Sequence, residues 1–264
     1  MNIENLDLEI TRRCTLNCEH CFRGESQNIN MSIESLVNIF SSVNKIETLL
    51  ITGGEPFIAV NELEKMIELI VNNNVKIREI RIVTNGTVLS SRVLKILKDL
   101  SSISNLVLKI SYDIFHQLEL EKRNLKQKRD KNVEFLKENF GAEEFGFENI
   151  KSTYEIGLQP LGRVKKLNIE RLNEINSYTI NKYKIMSFVT WQKSHCILEN
   201  NQVYGDLYID VNGNVVNYGV SFEDEDNYSA GLETNINKNG FINAINNYIN
   251  KEKISEDQHV SQLK

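Results

Sequence analysis

Three cysteines fall within eight residues near the amino terminus, in the run Thr11-Arg12-Arg13-Cys14-Thr15-Leu16-Asn17-Cys18-Glu19-His20-Cys21-Phe22-Arg23-Gly24. At this spacing Cys14, Cys18 and Cys21 can point into one small volume from a single loop. Thiolates are the ligands that iron–sulfur clusters demand. A cubane has one more iron than three cysteines can ligate, and an open metal position is what makes a site catalytic. Two other readings of these residues stay open: a structural zinc site completed by His20 or His195, or three unconnected buried thiols. Zinc motifs usually come as paired two-cysteine knuckles, and here the fourth cysteine, Cys196, stands alone.

Further candidates follow apolar runs with strand character. Gly53-Gly54-Glu55-Pro56 comes after Leu49 to Ile51. Paired glycines let a ligand approach the backbone, and a carboxylate there can accept bonds from an ammonium group. Taken alone, a simple turn explains it as well. It is not a dinucleotide fingerprint, which needs G-x-G-x-x-G opening a helix. Thr84-Asn85-Gly86 closes the next strand, and Ser111 and Asp113 close the one after. Gln159-Pro160-Leu161-Gly162-Arg163 follows a fifth, and Arg163 could grip a carboxylate with two parallel bonds. The chain has only two prolines, Pro56 and Pro160, and both lie in these segments. His116 and His195 are candidate substrate contacts, and His20 is placed to bond a cluster sulfur without ligating. Tyr112 and Trp191 read as packing residues.

The elements that must position these residues alternate. Strands are expected at Leu6 to Ile10, Leu49 to Ile51, Glu79 to Val83, Leu106 to Ser111, Tyr154 to Leu158 and Lys184 to Thr190. Helices are expected at Ile33 to Val43 (Ser32 as N-cap), Asn61 to Val71, Ser91 to Leu100, one long polar helix over Gln117 to Phe140, and Glu170 to Ile175. Strands alternating with helices imply βαβ units and a parallel sheet. Six units fall short of the eight of a closed barrel, so the expected fold is α/β, an open partial (β/α)6 TIM-like barrel over residues 1–195. A small α+β capping extension over 196–264 would hold a β-hairpin with a two-residue turn at Asn212-Gly213, a helix near Phe241 to Ile249 and a frayed tail over Glu252 to Lys264.

Composition narrows the function classes. A net charge of −5 argues against broad nucleic-acid binding, and no apolar run reaches the length of a membrane span. The basic run Lys122 to Lys131 reads as a solvated helix face. The acidic start Met-Asn-Ile-Glu-Asn lacks the basic and apolar segments of a secretory signal, so a cytoplasmic location is expected. A reducing compartment disfavours disulfides, which again turns the cysteine cluster toward metal.

Cys14-(three residues)-Cys18-(two)-Cys21 after a first strand, with Gly53-Gly54-Glu55-Pro56 about thirty residues on, resembles the signature of the radical S-adenosylmethionine (SAM) superfamily. The resemblance covers the expected barrel. It implies one 4Fe–4S cluster on Cys14, Cys18 and Cys21 that reductively cleaves SAM to a 5′-deoxyadenosyl radical, which abstracts hydrogen from a substrate. It implies SAM contacts from Phe22, Gly53, Gly54, Glu55, Pro56, Asn85, Ser111, Asp113 and Arg163. An external donor such as flavodoxin or ferredoxin would supply the electron, and the substrate would be a peptide or protein, or else a small metabolite or nucleoside. Cys196 and the hairpin after it resemble a shortened SPASM or twitch extension. Asn217, Tyr218 and Gly219 stand where that pattern has further cysteines, so no auxiliary cluster is expected. A non-catalytic iron–sulfur or zinc protein is the reading from another class.

Overall fold

The structure is a computed structural model that describes residues 1–145, 155–187, 196–216 and 232–262. Five strands pair in parallel in chain order: β1 (Asn2–Thr11), β2 (Lys45–Gly53), β3 (Lys76–Thr84), β4 (Asn105–Ser111) and β5 (Glu143–Phe145). Helices α1 (Ile33–Phe40), α2 (Val60–Asn72) and α3 (Ser91–Ile103) make the first crossovers. The side-chain period of two explains the layering. The register row Leu8, Ile51, Ile82 and Leu108 is buried in one core with Leu36, Met66 and Leu97 of the helices. The alternate rows carry Asp7, Leu50 and Arg81, then Glu9 and Thr52, so the other face of the sheet mixes polar with apolar residues. Ser32 caps α1 and Ser90 caps α3, each accepting a backbone N–H of the first turn.

The single long helix expected after β4 is two, α4 (Ile114–Lys122) and α5 (Lys126–Phe140). They are separated where Asn124 takes a left-handed φ of 55°, which ends the α4 ladder. The basic run across this break is not a uniform solvated face. Arg129 is buried, stacks 4.5 Å over the Tyr112 ring and pairs with Glu144 of β5 at 2.6 Å. Strand β5 had no counterpart in the sequence reading, because three residues are too few to show a period.

The fifth and sixth expected strands are β6 (Glu155–Leu158) and β7 (Lys182–Ile185), with α6 (Ile169–Ser177) between them. Tyr154 and residues 188–190 lie outside the described residues. β6 and β7 pair in parallel with each other in a sheet of their own. They have a second core, in which Ile156, Leu158, Leu172, Ile175 and Tyr183 meet Phe115 and Leu120 of α4 and Leu16 and Cys18 of the cysteine loop. The architecture is thus an open, mostly parallel α/β fold, a partial TIM-like barrel that does not close.

The carboxy-terminal strands join the main sheet. β9 (Gln202–Ile209) runs parallel to β1, with Leu6 opposite Leu207 and Leu8 opposite Ile209. β8 (Cys196–Glu199) and β10 (Val215–Val216) each pair antiparallel with β9, at its two ends. The hairpin loop spans Asp210 to Asn214 and not two residues. The Asp210 carboxylate accepts N–H groups of Asn212 (2.9 Å) and Asn214 (2.8 Å), a side-chain-closed turn with Gly213 at φ 79°. Beyond it, α7 (Ile236–Asn239) precedes α8 (Phe241–Gln262). α8 continues well past Ile249, and no glycine or proline stands in that run to stop it. Among the described residues no helix is long and apolar enough to cross a membrane.

Candidate active site

The carboxyl ends of β1 to β4 and β6 surround a cavity of about 690 Å³. Ligands of open α/β sheets sit at this end of the strands. Cys14, Cys18 and Cys21 all line it. Burial pushes the Cys14 thiol up to about 11 and the Cys18 thiol still higher. Such thiols hold their protons unless a cation takes their place, and a coordinating metal ion deprotonates them outright. Soft, desolvated sulfurs facing one cavity are a donor set that fits an iron–sulfur cluster.

A closed zinc site fits less well. Among the described residues, the set of three ligand atoms lying within 4.8 Å of one another is His20, Asp113 and His116, with no cysteine in it. His20 Nε2 lies 3.1 Å from Asp113 Oδ2, so this imidazole turns to a carboxylate and not to the sulfurs. His195, the other candidate fourth ligand, lies outside the described residues.

Gly53 and Gly54 line the cavity, and the reason for glycine is close backbone contact with the cysteine loop. A Cβ on Gly53 would lie 2.4 Å from the Thr11 carbonyl, and one on Gly54 would lie 2.2 Å from the Arg13 carbonyl. Gly54 N donates to Thr11 O and Glu55 N to Arg13 O, each at 2.7 Å, so the β1–β2 ladder runs on into the loop. Glu55 is fully buried and does not line the cavity. Its carboxylate accepts from Thr84 Oγ1 (2.8 Å), the Asn85 backbone (2.8 Å) and the Phe57 backbone (3.2 Å). Burial outweighs these bonds and raises its carboxyl to about 7. Pro56, also buried, opens the short 3-10 turn Pro56–Ile58 that Glu55 caps.

Asn85 lines the cavity and donates from Nδ2 to Thr15 Oγ1 at 3.1 Å, with Cys14 Sγ 3.6 Å away. Its Oδ1 accepts from Thr87, whose hydroxyl also meets Thr15 at 2.6 Å. Asn85 therefore ties the β3 end to the first cysteine. Ser111 lines the cavity at the end of β4. Asp113 N-caps α4 through the His116 N–H (2.9 Å) and also lies 2.8 Å from His116 Nδ1. Burial would raise this carboxyl, but the His20 and His116 imidazoles outweigh it and hold it well below the usual range. His20 is stacked on Phe115 with ring centres 4.5 Å apart.

Phe22 and Arg163 also line the cavity. The Arg163 guanidinium is buried against the loop, donating from Nε to Cys18 O at 2.8 Å and from Nη1 to Asn17 Oδ1. The sequence reading missed a network beneath the loop. Glu9, fully buried, meets Arg12 at 2.6 Å and Arg23 at 2.8 Å, and Arg23 also reaches Thr52 and the Tyr208 hydroxyl. The signal was present in Leu6 to Ile10, where Asp7 and Glu9 interrupt an apolar strand, since a charge there needs a buried partner.

Fold and site together define an open α/β protein whose strand ends and cysteine loop enclose one cavity. The chain matches the family model "Radical SAM superfamily" over residues 8–157, and it belongs to that superfamily. Members of that superfamily bind a 4Fe–4S cluster and SAM. It is 28% identical over 103 residues to an uncharacterized protein of Methanocaldococcus jannaschii, covering 37% of this chain and 36% of that one. It is 26% identical over 120 residues to YydG of Bacillus subtilis, which is named for peptide biosynthesis, covering 43% and 37%. It is 34% identical over 92 residues to a protein of Methanothermobacter thermautotrophicus named as a GTP 3′,8-cyclase, covering 33% and 29%. The chain thus spans about a third of the length of these relatives. Among solved structures it is similar to anSMEcpe with AdoMet and a peptide (TM-score 0.43, 17% identity, 74% of this chain and 54% of that one). It is also similar to SuiB of Streptococcus suis with its precursor peptide SuiA (TM-score 0.39, 14% identity, 80% and 58%).

Proposed function

We propose that Cys14, Cys18 and Cys21 hold the cluster and that the enzyme acts on a peptide or protein, with an external flavodoxin or ferredoxin as electron donor. The observation that carries the ligand assignment is the opening of the three cysteines onto one cavity that Gly53 and Gly54 also line. A cluster held there would supply, with SAM, the radical chemistry of the superfamily for hydrogen abstraction from the substrate. The chain's residues form the enclosure. Asn85 and the Gly54 and Glu55 amides hold the cysteine loop against the ends of β2 and β3. Ser111 and Asp113 offer oxygens on the wall at the end of β4, suited to hydroxyl groups of SAM, and His116 faces the cavity beside them as a substrate contact. Leu16, Phe22, Val83, Leu158 and Val164 supply apolar wall that excludes water from a reactive intermediate.

The peptide reading is supported by the likeness to YydG, and the small-molecule reading by the likeness to the protein named as a GTP cyclase. Anaerobic reconstitution with iron and sulfide, followed by dithionite and SAM, should yield 5′-deoxyadenosine in wild type and none in Cys18→Ala. Iron bound equally by Cys18→Ala would sink the ligand assignment. Candidate precursor peptides and nucleotides, added in turn, decide the substrate class by mass change.

A further inference from the structure

Arg163 belongs to the segment after β6, far from the cysteines in sequence, yet its hydrogen bonds reach the cysteine loop. Its Nε donates to Cys18 O at 2.8 Å, its backbone N–H donates to Cys21 O at 2.9 Å, and Nη1 donates to Asn17 Oδ1. Gly162, at φ 52°, lets this happen: a Cβ there would lie 2.5 Å from Phe22 O and 2.6 Å from Cys21 O. The guanidinium is buried, and the Glu25 carboxylate, half exposed and shared with Lys166 at 2.8 Å, pairs with it at 3.5 Å. A buried positive charge therefore stands on the cysteine loop and lines the same cavity as the three cysteines, with a half-exposed counter-charge.

We propose that Arg163 is a positioning residue for the cysteine loop whose buried charge raises the electron affinity of the cluster held there. The inference rests on Cys14, Cys18 and Cys21 being the ligands. Adding one electron to a cluster ligated by thiolates increases its negative charge, and a fixed cation nearby stabilises the reduced form. Net charge and hydrogen bonding around the sulfurs are recognised levers on iron–sulfur potentials. The forked guanidinium does two things that a lysine cannot do together, holding a carbonyl and an amide oxygen while keeping the charge buried.

The test is a redox titration followed by EPR on anaerobically reconstituted wild type, Arg163→Met, Arg163→Lys and Glu25→Gln, with iron content measured on each. Arg163→Met should move the midpoint potential more negative, and Glu25→Gln, which frees the guanidinium of its counter-charge, should move it more positive. Arg163→Lys should stay near wild type in potential while amide exchange over residues 14–24 quickens. Opposite shifts from the two charge variants cannot come from a general loss of packing. Potentials within error of wild type in loaded Glu25→Gln and Arg163→Met would overturn the inference. If Arg163→Met does not fold, an unshifted Glu25→Gln with unchanged exchange in Arg163→Lys overturns it equally. Failure of the wild type itself to take up iron would instead refute the ligand assignment.

Discussion

The carboxylate of Glu55 and the backbone N–H of Asn85 meet at 2.8 Å, joining the ends of β2 and β3 directly behind the cysteine loop. Glu55 also accepts from Thr84 and Phe57, and Asn85 in turn donates to Thr15. One buried carboxylate thus organises the floor on which the first cysteine rests. In this structure it acts on donors of the protein, and the Gly53–Gly54 backbone presents the cavity surface.

That burial has a pH signature. Burial raises the carboxyls of Asp7, Glu55 and Asp210 to about 7, from ordinary values of 3.8, 4.5 and 3.8. Each binds its proton more tightly in the folded state, so its contribution is fully present below the ordinary value and is lost as pH rises through 7. Asp113 has the opposite sign, and its contribution is lost only as pH falls below 3.8. The cluster-free protein should therefore be more stable to urea at pH 5 than at pH 8, by on the order of a few kcal/mol. Glu55→Gln should flatten part of this slope. Equal stability at the two pH values contradicts the burial of these groups.

Gly54 is the tightest contact between β2 and the cysteine loop. Gly54→Ala places a methyl group 2.2 Å from the Arg13 carbonyl, where backbone and not a flexible side chain must yield. A destabilisation of about 1–3 kcal/mol is expected, together with loss of iron uptake. Wild-type iron content in this variant would show that the loop tolerates displacement.

Asp113 combines two roles that substitution separates. Asp113→Ala removes the α4 cap and should cost about 1–2 kcal/mol by thermal or urea unfolding. Asp113→Asn keeps a capping oxygen for the His116 N–H and should retain most of that stability, while losing the anion between His20 and His116. A shared loss of stability in both variants would mean that the charge, and not the cap, holds this end of α4.

The break between α4 and α5 depends on one residue. Asn124→Gly, at φ 55°, should be neutral or slightly stabilising, whereas Asn124→Val should destabilise by about 1–2 kcal/mol. The midpoint of thermal unfolding distinguishes the two.

Much of the frame was legible because it is local. The apolar period, with Ser32 as a cap, reveals α1 to α3 and the strands between them, since each signal lies within one element; the Ser90 cap of α3 came only with the structure. The α4–α5 break was not legible, because Arg123-Asn124-Leu125 carries no proline or glycine and only the backbone conformation shows the stop. The addition of β9 to β1 was hidden for a different reason. Leu207 and Ile209 alternate as any half-buried strand would, and nothing local says which edge they join.

The sequence by itself determined the family: Cys14, Cys18 and Cys21 at loop spacing after a strand, followed by Gly53 and Gly54, carry the resemblance to the superfamily to which the chain belongs. Only the tertiary structure decided what each polar group serves. It turned Glu55 inward to Thr84 and Asn85, set Asp113 between His20 and His116, and laid Arg163 on the Cys18 carbonyl from 145 residues away. Ligand spacing is a property of a short segment. The partner of a buried charge is chosen by whichever donors or acceptors the packing brings within about 3 Å, across any distance in sequence.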